Sequence, residues 1–471
     1  MDPESGLDAV RDIAVENGSI VAVSKRSLKA RADIVIDAEG LVVAPGFIDL
    51  HAHGQSDRAF EYRVRDGVTS ALELEAGFSY LAQWLELRRG KARIHYGASV
   101  SHSMTRAQVQ PENADRLPDI EALFRRVMSS PEPLDALADE WSEELVASDY
   151  REVPESHTAA LFAELERGLK EGGIGIGMGH QYYPGASYRE IFRVFQFAAD
   201  KDVPIFVHVR TIGLGAMQEV IANAAATGVS LHIVHVNSMS LDQLPEVLAL
   251  IGAARERGVD VTTEAYPYTA ASTYLESAFF DEGWQELLGI SYPDLQWQDT
   301  GERLNEESFA RYRAQGGAVI IHMMKEEMIE LALTTPHVMI GSDAMPYAPG
   351  AHPRSAGTFA RVLGRYVRDR HALGLMAALG KMTLLPARRL EDIAPAMKNK
   401  GRIKVGADAD IVVFDEQNVM DTATFEAGLS FSKGIQHVLV AGVPVVRDGL
   451  IVEGAYPGQP VVGRYSTEKS R

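Results

Sequence analysis

Cysteine is absent from the 471-residue sequence. That excludes disulfides, thiolate metal ligands and cysteine nucleophiles, and it fits a reducing cytoplasm. Basic residues are outnumbered, 46 Lys and Arg against 65 Asp and Glu, for a net charge of −19. Such a balance argues against nucleic-acid backbones and anionic membranes as partners. No apolar run approaches the eighteen or so residues of a membrane span, and no basic-then-apolar signal segment opens the chain. Internal repeats and low-complexity segments are missing as well. The expectation is a cytoplasmic protein with a small-molecule partner, no nucleic acid and no membrane; a homo-oligomer stays open.

What is present is an ordinary globular composition, 46% hydrophobic and 24% charged, able to bury a large core. The chain is too long for one small domain and suits a large α/β barrel plus something modest. It is organised around Ala44–His53, APGFIDLHAH. A Pro-Gly break precedes a short apolar run that reads as a buried strand, with His51 and His53 at its C-terminal end. Side chains alternate along a strand, so two histidines at i and i+2 share a face and can chelate a divalent metal.

Before that strand, Asp12–Val15, Ile20–Ser24 and Ile34–Ile36 read as short strands separated by Asn17-Gly18 and Glu39-Gly40 turns. Asp2–Gly6 looks like a turn between two strands although none precedes it, so a first strand is expected to be missing. After Pro45, apolar strands alternate with amphipathic helices at Phe47–His51, Ser70–Glu75, Ile94–Val100, Gly173–Met178, Ile205–Val209, Leu231–Val236, Val261–Ala265 and Val338–Ser342. Eight such strands predict a (β/α)8 TIM-like barrel over 45–395, with insertions near 103–170 and 275–324 on its C-terminal rim. The acidic run Asp139–Glu144 in the first of these reads as a solvated helix face. Residues 1–44 and 396–471 return to strands and Gly-rich turns, and are expected to build one small β-sandwich domain from both chain ends.

The strand C-termini carry a consistent series of polar groups. His51 and His53 end the first strand and Glu75 the second, with Glu73 on the same face; His208 and His235 end the fifth and sixth, and Asp343 follows the eighth. Hydrolytic metal sites need this mixture: imidazoles hold the ion, one carboxylate lowers the total charge, and another takes a proton from the water the metal activates. Tyr183, after the fourth strand with His180 and Tyr182, is a candidate for the pocket lining.

These motifs, together with GFS at 77–79, YYPG at 182–185, AYPYTAAST at 265–273, HPRSAGTF at 352–359 and GRIKVGADADIVVFD at 401–415, resemble the amidohydrolase superfamily, and more narrowly its D-aminoacylase (N-acyl-D-amino-acid deacylase) family. The resemblance implies hydrolysis of an N-acyl-D-amino acid with zinc, one or two ions per chain. It implies that His51, His53 and Asp343 hold the first metal, Asp343 being also the general base, and that His208 and His235 hold the second. Tyr266 and Ser272 match residues that bind the substrate carboxylate, and Arg354 lies in the matching rim loop. Three departures stand out. Ala76 occupies the slot of a usual cysteine ligand, which leaves Glu75, or else Glu73, to replace it. Asn237 stands near the place of a carboxylate-binding lysine, so Arg210 or Arg354 must supply that charge. Gln55 follows HAHG where an acidic residue is common, and the fourth strand offers no lysine for a carbamate bridge. The alternatives are a cyclic amidase resembling dihydroorotases or hydantoinases, and a non-catalytic binding paralogue.

Overall fold

The computed structural model describes residues 1–29, 31–141 and 143–467. Eight parallel strands form its centre: β1 (Phe47–Asp49), β2 (Val68–Phe78), β3 (His95–Ser101), β4 (Ile176–Gly179), β5 (Ile205–His208), β6 (Leu231–Ile233), β7 (Val261–Ala265) and β8 (Val338–Ile340). They neighbour one another in chain order, and β7 pairs with β8. The circle closes just past the strand ends, where Ala52 bridges Ala344 in parallel and Asp343 N donates to His51 O at 2.8 Å. Short strands of Ile, Leu, Val and Phe, buried on both faces, are what a helix-wrapped parallel sheet requires. The intervening helices pack one apolar stripe inward. Tyr188–Asp200, whose Ser187 cap accepts from Glu190 N, buries Ile191, Val194, Phe195 and Ala198.

Two long excursions leave the C-terminal rim. One runs from β3 to β4 and contains helix α1 (Pro133–Glu140). Of the acidic run that follows it, Ser142 and the side chains of Glu143 and Glu144 lie outside the described residues. The other follows β7 and holds a three-stranded antiparallel sheet, ordered Ala270–Tyr274, Ala318–His322, Leu295–Trp297, with a core of its own around Phe280, Trp284, Trp297 and Phe309. That sheet begins at Ala270, five residues before the boundary expected from sequence.

The chain ends meet away from this rim. Val42–Pro45 pairs with Ile411–Phe414 at one edge of a five-stranded antiparallel sheet. A two-stranded ribbon, Asp12–Glu16 with Ser19–Ser24, packs Ile13, Val15 and Ile20 against Ile403, Ile411 and Val413. Ile34–Ile36, expected as a strand, forms no ladder, and Val35 is 77% exposed. Three apolar residues become a strand only where a sheet edge receives them, and the edge beside Ile411–Phe414 is taken by Val42–Pro45.

Candidate metal centre

The barrel mouth brings the strand-end groups to one point. The ligating atoms of His51, His53, Glu75 and Asp343 lie within 4.8 Å of one another, as do those of Glu75, His208 and His235, and all six residues are buried. Glu75 belongs to both groups. Its Oε2 stands 2.9 Å from His51 Nε2 and 3.0 Å from His53 Nε2, while its Oε1 stands 2.8 Å from His208 Nδ1 and 3.4 Å from His235 Nε2. Asp343 Oδ1 approaches the Nε2 atoms of His51 and His53 at 3.4 and 3.3 Å. Two of these residues hold unusual backbone: His235 at φ 32° and Asp343 at φ 52° occupy the left-handed side that non-glycine residues seldom adopt.

Local chain geometry explains why Glu75 and not Glu73 faces the centre. The β2–β3 register shifts between Glu73 and Phe78, and Gly77 turns at φ +63°. Glu73 stays in the ladder, where its Oε2 accepts from His53 Nδ1 at 2.7 Å and its Oε1 from Ala76 N at 3.1 Å. Past the shift, Glu75 turns into the mouth. Ala76 borders the adjoining cavity and carries no ligand atom.

The donor set fits a cation on the evidence of its own hydrogen bonds. His51 Nδ1 lies 2.6 Å from Glu264 Oε1, and His53 Nδ1 is held by Glu73. Ionised carboxylates only accept, so in the neutral ring each Nδ1 carries the proton and each Nε2 presents a lone pair. Those two Nε2 atoms are 3.1 Å apart and both face Glu75 Oε2. His208 repeats the pattern: its Nε2 meets Gln181 Oε1 at 3.0 Å, which leaves Nδ1 as an acceptor turned toward Glu75 Oε1. Acceptors converging on acceptors need positive charge between them.

Electrostatics agree. Burial opposes charge on His51 and His53, yet Asp343, Glu75 and Glu264 around the first, and Glu73 beside the second, raise both well above the usual imidazole range. Burial works hardest against ionised Glu75 and Asp343; His51, His208 and His235 together outweigh it at Glu75, and Arg354, His51, His53 and His235 together at Asp343, so both carboxyls stay below their ordinary range. A bound cation takes the place of the imidazole protons.

The predicted substrate-binding residues separate into three groups. Tyr183 and Ser272 line a cavity of about 200 Å³ that opens beside Glu75, His208, His235 and Asp343. The Ser272 Oγ is buried and has no hydrogen-bond partner among the described residues. Arg354 and Tyr266 stand against this wall: Arg354 Nη1 is 2.9 Å from Asp343 Oδ2, Nη2 donates to Ser272 O at 3.1 Å, and the guanidinium lies 4.7 Å from the Tyr266 ring centre. Arg210 is not brought to the site. Its guanidinium is taken by Glu219 at 3.0 Å and by the Ala186 carbonyl at 2.7 Å, because the chain has left β5 by then and turned toward the following helix. Asn237 is fully buried and donates to Tyr266 O.

Two functional neighbours escaped the sequence reading. Glu264 orients both His51 and His232, the latter at 3.2 Å, and Gln181 fixes His208. The signal for Glu264 was available: an acidic residue next to the C-terminal end of the strand Val261-Thr262-Thr263-Glu264-Ala265. Nothing in the loop sequence singles out Gln181. His102 is occupied by Tyr183 at 3.1 Å and Glu190 at 3.2 Å, apart from the metal-type cluster.

Comparison with known proteins follows the same lines. The model of the amidohydrolase family matches residues 34–446. An N-acyl-D-glutamate deacylase of Alcaligenes xylosoxydans xylosoxydans is 31% identical over 458 residues, covering 92% of this chain and 89% of that protein. A D-aminoacylase of the same organism is 30% identical over 492 residues, covering 95% and 92%. Among solved structures, an N-acyl-D-glutamate deacylase from Bordetella bronchiseptica, complexed with zinc and a phosphonate mimic of the tetrahedral intermediate, superposes with a TM-score of 0.80. It is 25% identical, with 98% of this chain and 97% of that one covered.

Proposed function

The chain belongs to the amidohydrolase family, and from that premise we propose that it hydrolyses the amide bond of an N-acyl-D-amino acid, releasing a D-amino acid and a carboxylate. The observation that carries this reading is the Glu75-centred cluster, in which imidazole lone pairs and two carboxylates converge at the mouth of a barrel beside a cavity of substrate size. Curated relatives acting on N-acyl-D-amino acids along nearly their whole length support the substrate class.

His51, His53, Glu75 and Asp343 would hold one ion and Glu75, His208 and His235 a second, with Glu75 common to both groups in place of the family's cysteine. Zinc suits this mixture of nitrogen and carboxylate oxygen. When bound it supplies a Lewis acid that polarises the amide carbonyl and makes water acidic near neutral pH. The remaining work falls to side chains. Asp343, ionised and fixed at the rim of the cluster, takes a proton from the attacking water. It then returns that proton to the amide nitrogen as the C–N bond breaks, so that one residue serves as base and acid in turn. Glu73 and Glu264 keep His51 and His53 in the tautomer whose Nε2 lone pair faces inward. Ser272, with Tyr266 and Arg354, receives the substrate's α-carboxylate. Arg354 is the one cation placed for that task among those the sequence suggested, since Arg210 is engaged elsewhere.

A direct test assays the zinc-loaded protein on matched N-acetyl-D- and N-acetyl-L-amino acids and on cyclic ureides such as dihydroorotate and hydantoin. Turnover of D substrates, lost on chelation, is expected. Preference for the ureides would favour the cyclic amidase reading, and absence of any hydrolysis would favour a binding paralogue.

A further inference from the structure

Resting on the reading above, we infer that the cavity accepts an uncharged, apolar group on the substrate and rejects a second carboxylate, and that Leu134 and Leu137 of α1 are residues that set this choice. The curated relatives named above include one acting on N-acyl-D-glutamate, so the question has two chemically distinct answers.

The cavity is lined by two kinds of group: the metal-type groups with Ser238, Ser272 and Thr273, and the apolar side chains of Phe78, Leu134, Leu137, Phe279, Ile321 and Met323. Among the described residues no Lys or Arg side chain lines the cavity. Arg354 provides one positive charge behind Ser272 and is already paired with Asp343, so one carboxylate of the substrate can be met there and a second cannot. An ionised group pressed against such a wall loses its hydration without a partner, and that is among the costlier events in binding.

The charges around Tyr274 also have the wrong sign for an acidic ligand. Tyr274, on the cavity wall, donates to Asp135 Oδ1 at 3.0 Å, and this contact ties α1 to the sheet of the second excursion across the cavity. Around it stand Glu132, Asp139, Glu276 and Asp299. Leu134 and Leu137 flank Asp135 on the same helix and line the cavity at the i and i+3 spacing that puts them on one face. The two excursions together thus present apolar surface inward and carboxylates around it.

Either side of the scissile amide could supply the apolar group, and the experiment separates them. On the zinc-loaded enzyme, kcat/KM is measured for N-acetyl-D-alanine, N-acetyl-D-leucine, N-octanoyl-D-alanine, N-acetyl-D-glutamate and N-acetyl-D-lysine. Binding of the same compounds is ranked in parallel by calorimetry. The inference expects the leucine or the octanoyl compound to exceed the glutamate compound by roughly 10²-fold or more. Whichever of the two gains over N-acetyl-D-alanine identifies the group in the cavity. In Leu137→Lys the preference over glutamate should shrink by about ten-fold, while Leu137→Met keeps it. Glutamate within about ten-fold of the better apolar substrate overturns the inference, as does lysine as the preferred substrate. If no compound is hydrolysed, the reading under Proposed function falls, and the calorimetric ranking still decides this one: apolar above glutamate supports it, and the reverse order overturns it.

Discussion

The floor of the cleft and the walls of its cavity come from different parts of the chain. The floor is made at strand ends, where the ligating groups stand at or just past the C-terminal ends of β1, β2, β5, β6 and β8. The walls come from the β3–β4 and β7–β8 excursions, from α1 and an antiparallel sheet that touch each other through Tyr274 and Asp135. A barrel strand cannot shift its side chains without shifting its neighbours, whereas an excursion can change length and composition with little effect on the core. On the proposed reading the floor carries the reaction and the walls carry the choice of substrate.

Perturbing the floor should abolish turnover, and perturbing the walls should redirect it. The largest effect is expected from metal removal: a chelated sample should lose turnover to background and regain it on addition of zinc. Activity that survives chelation would break the distinction at its root. Next comes Asp343→Asn, which keeps the size of the side chain and cannot accept a proton. Its kcat should fall about 10²–10⁴-fold with KM little changed, on a sample shown to retain metal. Turnover within a few-fold of wild type would remove Asp343 as the base. Glu264→Gln touches the floor one step back, through His51. Metal titration should show affinity lower by about 10–100-fold; unchanged affinity would reduce the 2.6 Å contact to a packing feature. The smallest effect belongs to the walls. Tyr274→Phe loses one hydrogen bond, worth about 0.5–1.5 kcal/mol, and should alter KM by no more than about ten-fold while kcat stays in place. A collapse of kcat in that variant would mean that the walls take part in the chemistry.

The same contrast decides what could be read from the amino acids alone. The eight strands and all six cluster residues were legible, because apolar runs ending in His, Glu or Asp announce both the strand and the face its last residue takes. Glu75 over Glu73 was not settled by alternation. Both share a parity, and only the register shift after Glu73 separates them. Glu264 was overlooked as an orienting group although its strand was identified; its role depends on a neighbour 213 positions away in sequence. Arg210 illustrates the opposite failure. The missing carboxylate-binding lysine made it a candidate for that charge, but a loop residue answers to whichever partner is nearest, here Glu219 nine positions on. The Tyr274–Asp135 contact, joining residues 139 positions apart across two excursions, left no trace in any local pattern.

In the proposed site Glu75 stands between two cation positions and replaces a ligand the family usually takes from cysteine. Anomalous diffraction from zinc-loaded crystals, recorded on either side of the zinc absorption edge, tests it directly. The account predicts density at the His51–His53–Asp343 position and, at higher zinc, at the His208–His235 position, with a Glu75 oxygen about 2.0–2.2 Å from each occupied metal. An ion bound at either position with the Glu75 carboxylate more than about 3 Å away, or no ion at this cluster at all, would contradict it.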